Sequence, residues 1–293
     1  MIAVMGAAGN VGGKVAELLL GRGEAIRVLQ HARPLDELAA RGAEVLPGDG
    51  ANAGDLVAFF DGTDAALVLL PDNVGEERFV AVRSTIAHAI ADALRREPVG
   101  HVVMLSSVGV DRPDVPGIPA GLRELEQRLF ELDDVNVLAL RSTSYMDYLL
   151  AAVPLIRAQG INGTAVDGDL PIPWLATRDV AAVAAERLVQ RAFRGHVTEV
   201  LIGPEDLTMR EATSAIGRRL GMPDVPYVQF PPEDLTGALM GGGFSAEAAS
   251  KLVEMQLGVN EGRFVPGVDR TPENTAPTRL EEFLEGALAP AGI

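Results

Sequence analysis

The chain contains no cysteine, which excludes disulfides, thiolate catalysis and cysteine-ligated metals. Its four histidines (His31, His88, His101 and His196) stand far apart in sequence, so no metal-ligand spacing is present and no metal is expected. Lysine is nearly absent as well, with only Lys14 and Lys251. A Tyr-x-x-x-Lys proton donor needs a lysine to lower the phenol pKa. Four residues beyond Tyr145, Tyr148 and Tyr227 come Leu149, Ala152 and Pro231 instead. No apolar run reaches the roughly eighteen residues that cross a bilayer. The first β-rich run begins at Ile2 and leaves no room for a signal peptide. A soluble, cytoplasmic protein with no membrane partner is therefore expected. Basic charge is short too: 25 Lys and Arg face 41 Asp and Glu, for a net charge of -16. That balance repels a phosphate backbone and forgoes counterion release, so direct binding to nucleic acid is not expected.

What is present is a large apolar inventory. At 293 residues, 47% hydrophobic and a mean hydropathy of +0.17, the chain can bury the core of one α/β domain with a smaller lobe. From residue 1 to about 141, short apolar runs alternate with amphipathic helical stretches, the pattern of a parallel sheet covered on both faces. Six strands are predicted: Ile2 to Met5, Ala25 to Leu29, Ala43 to Leu46, Ala65 to Leu70, His101 to Ser106 and Val135 to Leu140. The longest early helix is predicted from about Gly75 to Arg96, a later one over Thr177 to Phe193, and a further strand over Val197 to Ile202. Thr208 with Glu211 reads as a capping box. The fold class is α/β, a doubly wound parallel sheet of the Rossmann type with a smaller C-terminal α+β lobe. The boundaries are 1–150 with 176–204 for the nucleotide-binding domain and 151–175 with 205–293 for the substrate lobe. The proline-rich stretch Arg112 to Pro119 is a loop; lid and plain connector are both open readings of it.

Between the first strand and first helix lies Gly6-Ala7-Ala8-Gly9-Asn10-Val11-Gly12. Gly6 can take the tight turn, a side chain at Gly9 would block a pyrophosphate, and Gly12 lets the helix pack on the strand. Gly6, Ala8, Gly9, Asn10, Val11 and Gly12 are therefore the candidate phosphate-binding residues of a dinucleotide site. An NAD site carries an acid at the end of the second strand. This chain has Gln30, His31 and Arg33 there, and a guanidinium suits a 2′-phosphate, so NADP is favoured with NAD left open. The switch-point rule puts Ser106 and Ser107, ending the fifth strand, and Tyr145, just past the sixth, near a nicotinamide. Ser106 is counted with the cofactor contacts. For Ser107 a hydrogen bond to a substrate carbonyl, and for Tyr145 proton donation, stand beside purely structural roles. Arg141 and Trp174 read as structural first.

Motifs along nearly the whole chain resemble the NmrA-like family of atypical short-chain dehydrogenase/reductases. The glycine loop has the GxxGxxG spacing. Val103-Met104-Leu105-Ser106-Ser107 is similar to the family's V-x-x-S-S strand, and Glu126 to Leu129 to its E-x-x-L helix. Leu140-Arg141 with Tyr145-Met146-Asp147 resembles L-R-P-x-x-F-M-E-N. Arg178 to Ala181 resembles x-D-V-A, and Gly203 to Thr208 resembles G-P-E-x-L-T. The resemblance implies that Asp49 and Gly50 flank an adenine and that Leu70, Pro71, Asp72 and Asn73 pass under the ribose and nicotinamide. The family's arginine past the second strand falls on His31, with Arg33 two residues later. Where its quinone-reductase branch has a histidine four residues before the helix glutamate, this chain has Leu122. With no Tyr-x-x-x-Lys, the expected acceptor is a quinone or another conjugated carbonyl, whose reduced anion is stable without a strong protein acid. The expected protein is thus an NADPH-dependent reductase of a small molecule, with a homodimer as one open reading of its assembly. The alternative is a non-catalytic, dinucleotide-sensing regulator acting through a protein partner.

Overall fold

Strands that are apolar on both faces need a helical layer on each side, and the chain supplies helices in the gaps. The computed structural model describes residues 1–288. In chain order the first half runs β1 (Ile2–Val4), α1 (Asn10–Gly21), β2 (Ile26–Gln30), α2 (Asp36–Ala40), β3 (Glu44–Pro47), α3 (Ala53–Phe60), β4 (Ala65–Val68), α4 (Phe79–Arg96), β5 (His101–Ser107), α5 (Pro119–Leu129) and β6 (Asn136–Ser142). A 3-10 turn (Met146–Ala152) leads to α6 (Val153–Gln159), β7 (Asn162–Thr164), β8 (Ile172–Pro173), α7 (Thr177–Gln190) and β9 (His196–Leu201). Then come β10 (Asp206–Leu207), α8 (Met209–Arg219), β11 (Tyr227–Gln229), α9 (Pro232–Gly241), α10 (Ala246–Asn260) and α11 (Leu280–Ala287).

Seven strands form one sheet in the order β3-β2-β1-β4-β5-β6-β9, and every pairing in it is parallel. This is the Rossmann-type doubly wound fold. Alternate side chains of β1 feed two cores. Ile2 and Val4 pack with Val15 and Leu19 of α1 and Ala181 and Ala184 of α7. Ala3 and Met5 pack with Phe59 and Phe60 of α3, Ile90 of α4 and Leu125 of α5. Because the chain turns at the ends of β1 and β4, both binding loops emerge at the carboxyl edge of the sheet, where ligands of such folds sit.

Several element ends differ from the sequence reading, each for a local reason. β1 stops at Val4 because the chain turns at Gly6 (φ +67°), although the Met5 N–H still reaches Leu67 O at 3.1 Å. β4 stops at Val68 because Leu70 folds under α4 into the core. α4 begins at Phe79 rather than Gly75. Residues 73–76 make turns, and the helix is capped from afar by Glu247, whose Oε2 accepts the Val80 N–H at 3.0 Å. α7 ends at Gln190 because Arg191 takes the left-handed conformation (φ 49°).

The elements of 151–175 and 205–288 outside the sheet build a further core from Ile156, Trp174, Ile216, Tyr227 and Phe283. Two-stranded pairs β8–β10 and β7–β11 stiffen it. Thr208 and Glu211 form the reciprocal capping box, and Trp174 is structural, its indole N–H donating to Leu207 O at 3.0 Å. A Cβ at Gly203 would lie 1.8 Å from Trp174 O, which explains the glycine that opens the Gly203–Thr208 motif. The loop through residues 112–118 is an anchored connector rather than a free lid. Gly117 (φ +71°) leaves no room for a Cβ, 2.3 Å from Lys251 O. Asp114 pairs with Arg263, and Arg123 Nη1 donates to Val110 O at 2.9 Å. Among the described residues no helix is long and apolar enough to cross a membrane, and no group of three or more acidic or histidine side chains could hold a metal.

Candidate functional site

The loop after β1 is shaped almost wholly by backbone. Gly6 occupies the left-handed region, where L side chains are disfavoured, and its N-terminal neighbour strand leaves it against Leu69. The Gly9 N–H closes the turn on Gly6 O at 2.8 Å. At Gly12 a Cβ would sit 2.3 Å from Gly6 O and 2.6 Å from Met5 O; only glycine lets α1 lie on β1. Gly9 differs, since a Cβ there would meet only Gly6 O, at 3.3 Å. The fold can nearly accept a side chain at Gly9, so the reason for glycine lies in what approaches from outside. Gly9 is the N-cap of α1 and offers no side chain. The first helical N–H to find a carbonyl is that of Gly13, on Gly9 O at 3.0 Å. The N–H groups of Asn10, Val11 and Gly12 are thus free for an anion at the positive end of the helix. Ala8 and Asn10 are exposed, whereas the Val11 side chain belongs to the core and offers only backbone. A pyrophosphate fits this cradle.

At the end of β2, Gln30 Oε1 accepts the Leu35 N–H at 3.0 Å. Through this bond the side chain shapes the loop that carries His31 and Arg33. His31 and Arg33 stand in solvent. His31 Nδ1 lies 3.9 Å from Asp49 Oδ1, so the ends of β2 and β3 meet here. Asp49 is a turn residue: its Oδ1 accepts the Ala51 N–H at 2.9 Å, and Asn52, not Asp49, caps α3. Gly50 sits beside it with ordinary space around it. Arg33 has no ion pair or side-chain hydrogen bond among the described residues, which leaves its guanidinium uncommitted.

The other half of the carboxyl edge is built from side chains that hold one another. Leu70 points into the core, and the Pro71 carbonyl accepts from Arg83 Nη1 at 3.0 Å. Asp72 pairs with the same guanidinium. The Leu70 side chain packs in the core, so only its backbone faces the edge. Arg83 is only 4% exposed and lies 5.2 Å over the Phe79 ring. Sequence reasoning missed it. The signal was present, since Arg83 interrupts the buried stripe Phe79, Ile86 and Ile90 at helical spacing. The Ser106 Oγ donates to Glu126 Oε2 at 2.7 Å, on the α5 side of the sheet. Glu126 also binds Arg141, so the family's E-x-x-L glutamate and its L-R arginine form one buried knot. Arg141 is structural, as expected.

Ser107 points to the opposite face and is opposed across the sheet by Ser142. Its hydroxyl makes only a 3.1 Å bond to the neighbouring Val108 O. The Ser142 hydroxyl is buried, and Tyr145 is the group among the described residues on which it acts. Tyr145 follows at the turn. Burial pushes its phenol up to about 12; the Ser142 hydroxyl pulls it down, and the carboxylates of Asp72 and Asp147 raise it further. Ser107, Ser142 and Tyr145 are thus brought to one place. Asp147 fastens this turn to α7, its Oδ1 accepting Thr177 Oγ1 at 2.7 Å and its Oδ2 the Thr177 N–H at 3.1 Å. Lys14 of α1 donates to the same hydroxyl at 3.3 Å, tying the phosphate helix to the tyrosine turn.

Residues 6–191 match the NAD(P)H-binding family. The chain belongs to that family, and it is an NAD(P)H-dependent oxidoreductase of the atypical short-chain dehydrogenase/reductase type. Its relatives are more particular. A (4-alkanoyl-5-oxo-2,5-dihydrofuran-3-yl)methyl phosphate reductase of Streptomyces griseus is 34% identical over 228 residues, 76% of this chain and 75% of that protein. An NAD(P)H azoreductase of Xenophilus azovorans is 27% identical over 100% of this chain and 99% of its own length. In fold, an NADPH-dependent quinone oxidoreductase from Escherichia coli superposes with a TM-score of 0.80 at 22% identity, covering 98% of this chain and 100% of that one. The negative transcriptional regulator NmrA shares the fold at a TM-score of 0.66 and 18% identity, over 97% and 90% of the two chains.

Proposed function

We propose that the protein reduces a quinone or another conjugated carbonyl of a small molecule at the expense of NADPH. The observation that carries this reading is the state of Tyr145. Its phenol is held protonated, up to about 12, and Lys14, which reaches the Thr177 hydroxyl beside Asp147, is spent there. No device here lowers a phenol pKa toward neutrality, as reduction of a simple ketone requires. A conjugated acceptor delocalises the charge it gains, and a neutral phenol or water suffices as proton source. Bound NADPH would supply the hydride. The chain would hold its pyrophosphate on the N–H groups of Asn10, Val11 and Gly12, its adenine side near Asp49 and Gly50, and its 2′-phosphate on Arg33. Pro71 and Asp72 would border the nicotinamide through their backbone, with Ser107 and Tyr145 facing the acceptor carbonyl. Residues 151–175 and 205–288 would close the acceptor side as a lobe, the last five residues of the expected lobe, 289–293, lying outside the described residues. The relatives support the same chemistry, since one is named as reducing a conjugated furanone ester and another an azo compound.

The test is steady-state NADPH oxidation with a panel of quinones and α,β-unsaturated carbonyls. Turnover is expected, and none above the uncatalysed background would overturn the reading. Arg33→Ala should raise the Kd for NADPH about tenfold and leave that for NADH unchanged. Equal effects on both would remove Arg33 from the 2′-phosphate.

A further inference from the structure

The chain is poor in aromatics, with nine Phe, three Tyr and one Trp, and most of these rings are in its cores. Tyr148 is the exception. At 57% it is the most exposed large apolar side chain among the described residues, and it stands on the turn after β6, at the carboxyl edge beside the acceptor position. Its ring lies 5.7 Å from that of Tyr145, tilted by 37°. Two of the three tyrosines are thus in contact, Tyr148 exposed and Tyr145 partly buried against the core. A tyrosine presents an apolar ring with a polar tip, a form enriched at contact surfaces where one side is apolar and the other wet.

The charges around this surface, two carboxylates and one guanidinium, sum to a net negative. Asp147 lies between the two tyrosines in sequence, and Asp72, 42% exposed at its side chain, comes from the loop after β4. These two carboxylates and Arg83 are the charged groups whose fields reach the phenols. Arg83 is buried and already paired with Asp72, so it offers no free positive charge to a ligand. Lys14 and Arg141, the next cations, are bound to Thr177 and to Glu126.

We infer that Tyr148 with Tyr145 is the stacking platform for a planar acceptor, and that the Asp72–Asp147 rim makes the site select neutral or cationic acceptors against anionic ones. The inference rests on the reductase reading given above, and it separates this protein from the Streptomyces griseus relative, whose named substrate carries a phosphate. Tyr148 is a specificity-determining residue in this arrangement. It touches the acceptor's ring and moves no proton.

The experiment uses the full chain saturated with NADP+ or NADPH and three acceptors with one ring system: 1,4-naphthoquinone, its 2-sulfonate, and a naphthoquinone bearing a trimethylammonium group. Dissociation constants are measured by calorimetry on the NADP+ form, independently of turnover, and kcat/KM on the NADPH form. The neutral and cationic quinones should bind about tenfold tighter than the sulfonate. The gap should narrow at about 1 M salt, where exposed charges are screened. Asp72→Asn should narrow it as well, while Asp134→Asn, at the opposite end of β6, should leave it unchanged. Tyr148→Ala should raise KM for the neutral quinone about fivefold with kcat nearly unchanged, and Tyr148→Phe should restore it. Equal binding of the three quinones, a gap that salt and Asp72→Asn do not move, or a Tyr148→Ala variant that binds like the parent would overturn the inference. Failure of turnover with the binding preference intact would sink the reductase reading alone.

Discussion

The two halves of the carboxyl edge are made by different means. Over β1 the site is backbone, a left-handed glycine, a glycine without room for a methyl and a helix end whose N–H groups have no carbonyl among the described residues, and beyond β2 it adds the uncommitted Arg33. Over β4, β5 and β6 it is a set of side-chain knots, Asp72 with Arg83, Ser106 with Glu126 and Arg141, and Asp147 with Thr177 and Lys14. A backbone site recognises what every dinucleotide shares. A side-chain site can be re-tuned one residue at a time, which suits the half that meets a variable acceptor.

The largest effect should separate two glycines of one loop. Gly12→Ala forces a methyl onto the carbonyls of Gly6 and Met5 and should cost about 3 kcal/mol or more, read as a collapse of Tm or of soluble yield. Gly9→Ala should leave Tm within a degree or two, and NADPH affinity, measured by fluorescence titration, should fall at least about tenfold. If both variants unfold, or both bind, the division between a folding glycine and a ligand glycine is wrong. In the other half, Glu126→Ala strands Arg141 and the Ser106 hydroxyl. With side-chain exposures of 17% for Arg141 and 8% for Glu126, the loss should be about 3 kcal/mol in urea unfolding, with NADPH affinity little changed. A large loss of NADPH binding without loss of stability would place Glu126 in the cofactor site instead.

The smallest effect concerns Tyr145. Its phenol is raised in the folded protein to about 12, against about 10 in an unfolded chain. The unfolded state therefore releases its proton first. The stabilisation is complete below pH 10 and is lost as pH rises from there through 12. Partly exposed as the residue is, the loss should be on the order of 1 kcal/mol, and it should be absent in Tyr145→Phe. Below pH 10 the phenol stays protonated, so kcat/KM should show no decline from Tyr145 between pH 7 and 10. A basic limb in that range that disappears in Tyr145→Phe would show a phenol tuned downward and would break the proposed chemistry.

Legibility followed the same division. The strands, their parallel arrangement and the glycine loop could be read because apolar runs and glycine spacing act over a few neighbouring residues. The Thr208–Glu211 capping box and the structural role of Arg141 were legible for the same reason. The hydrogen bonds of Gln30 and Ser106 were not legible, because the question for each was which way a side chain turns, and the answer came from Leu35 and Glu126. Arg83 and Tyr148 were overlooked. One lies on a helix that reads as ordinary core, and the other's exposure is invisible until the turn after β6 is built.

By itself the sequence determined that a dinucleotide cradle begins this chain and that Tyr-x-x-x-Lys is missing from it, since both are matters of contiguous residues. Only the tertiary structure decided that Gly9 is free for a ligand while Gly12 is not. It alone brought Lys14 to Thr177 and Asp147, and set Tyr145 and Tyr148 together beside Asp72. Contacts across tens of residues depend on the register of strands and the packing of helices upon them, and no local pattern encodes those distances.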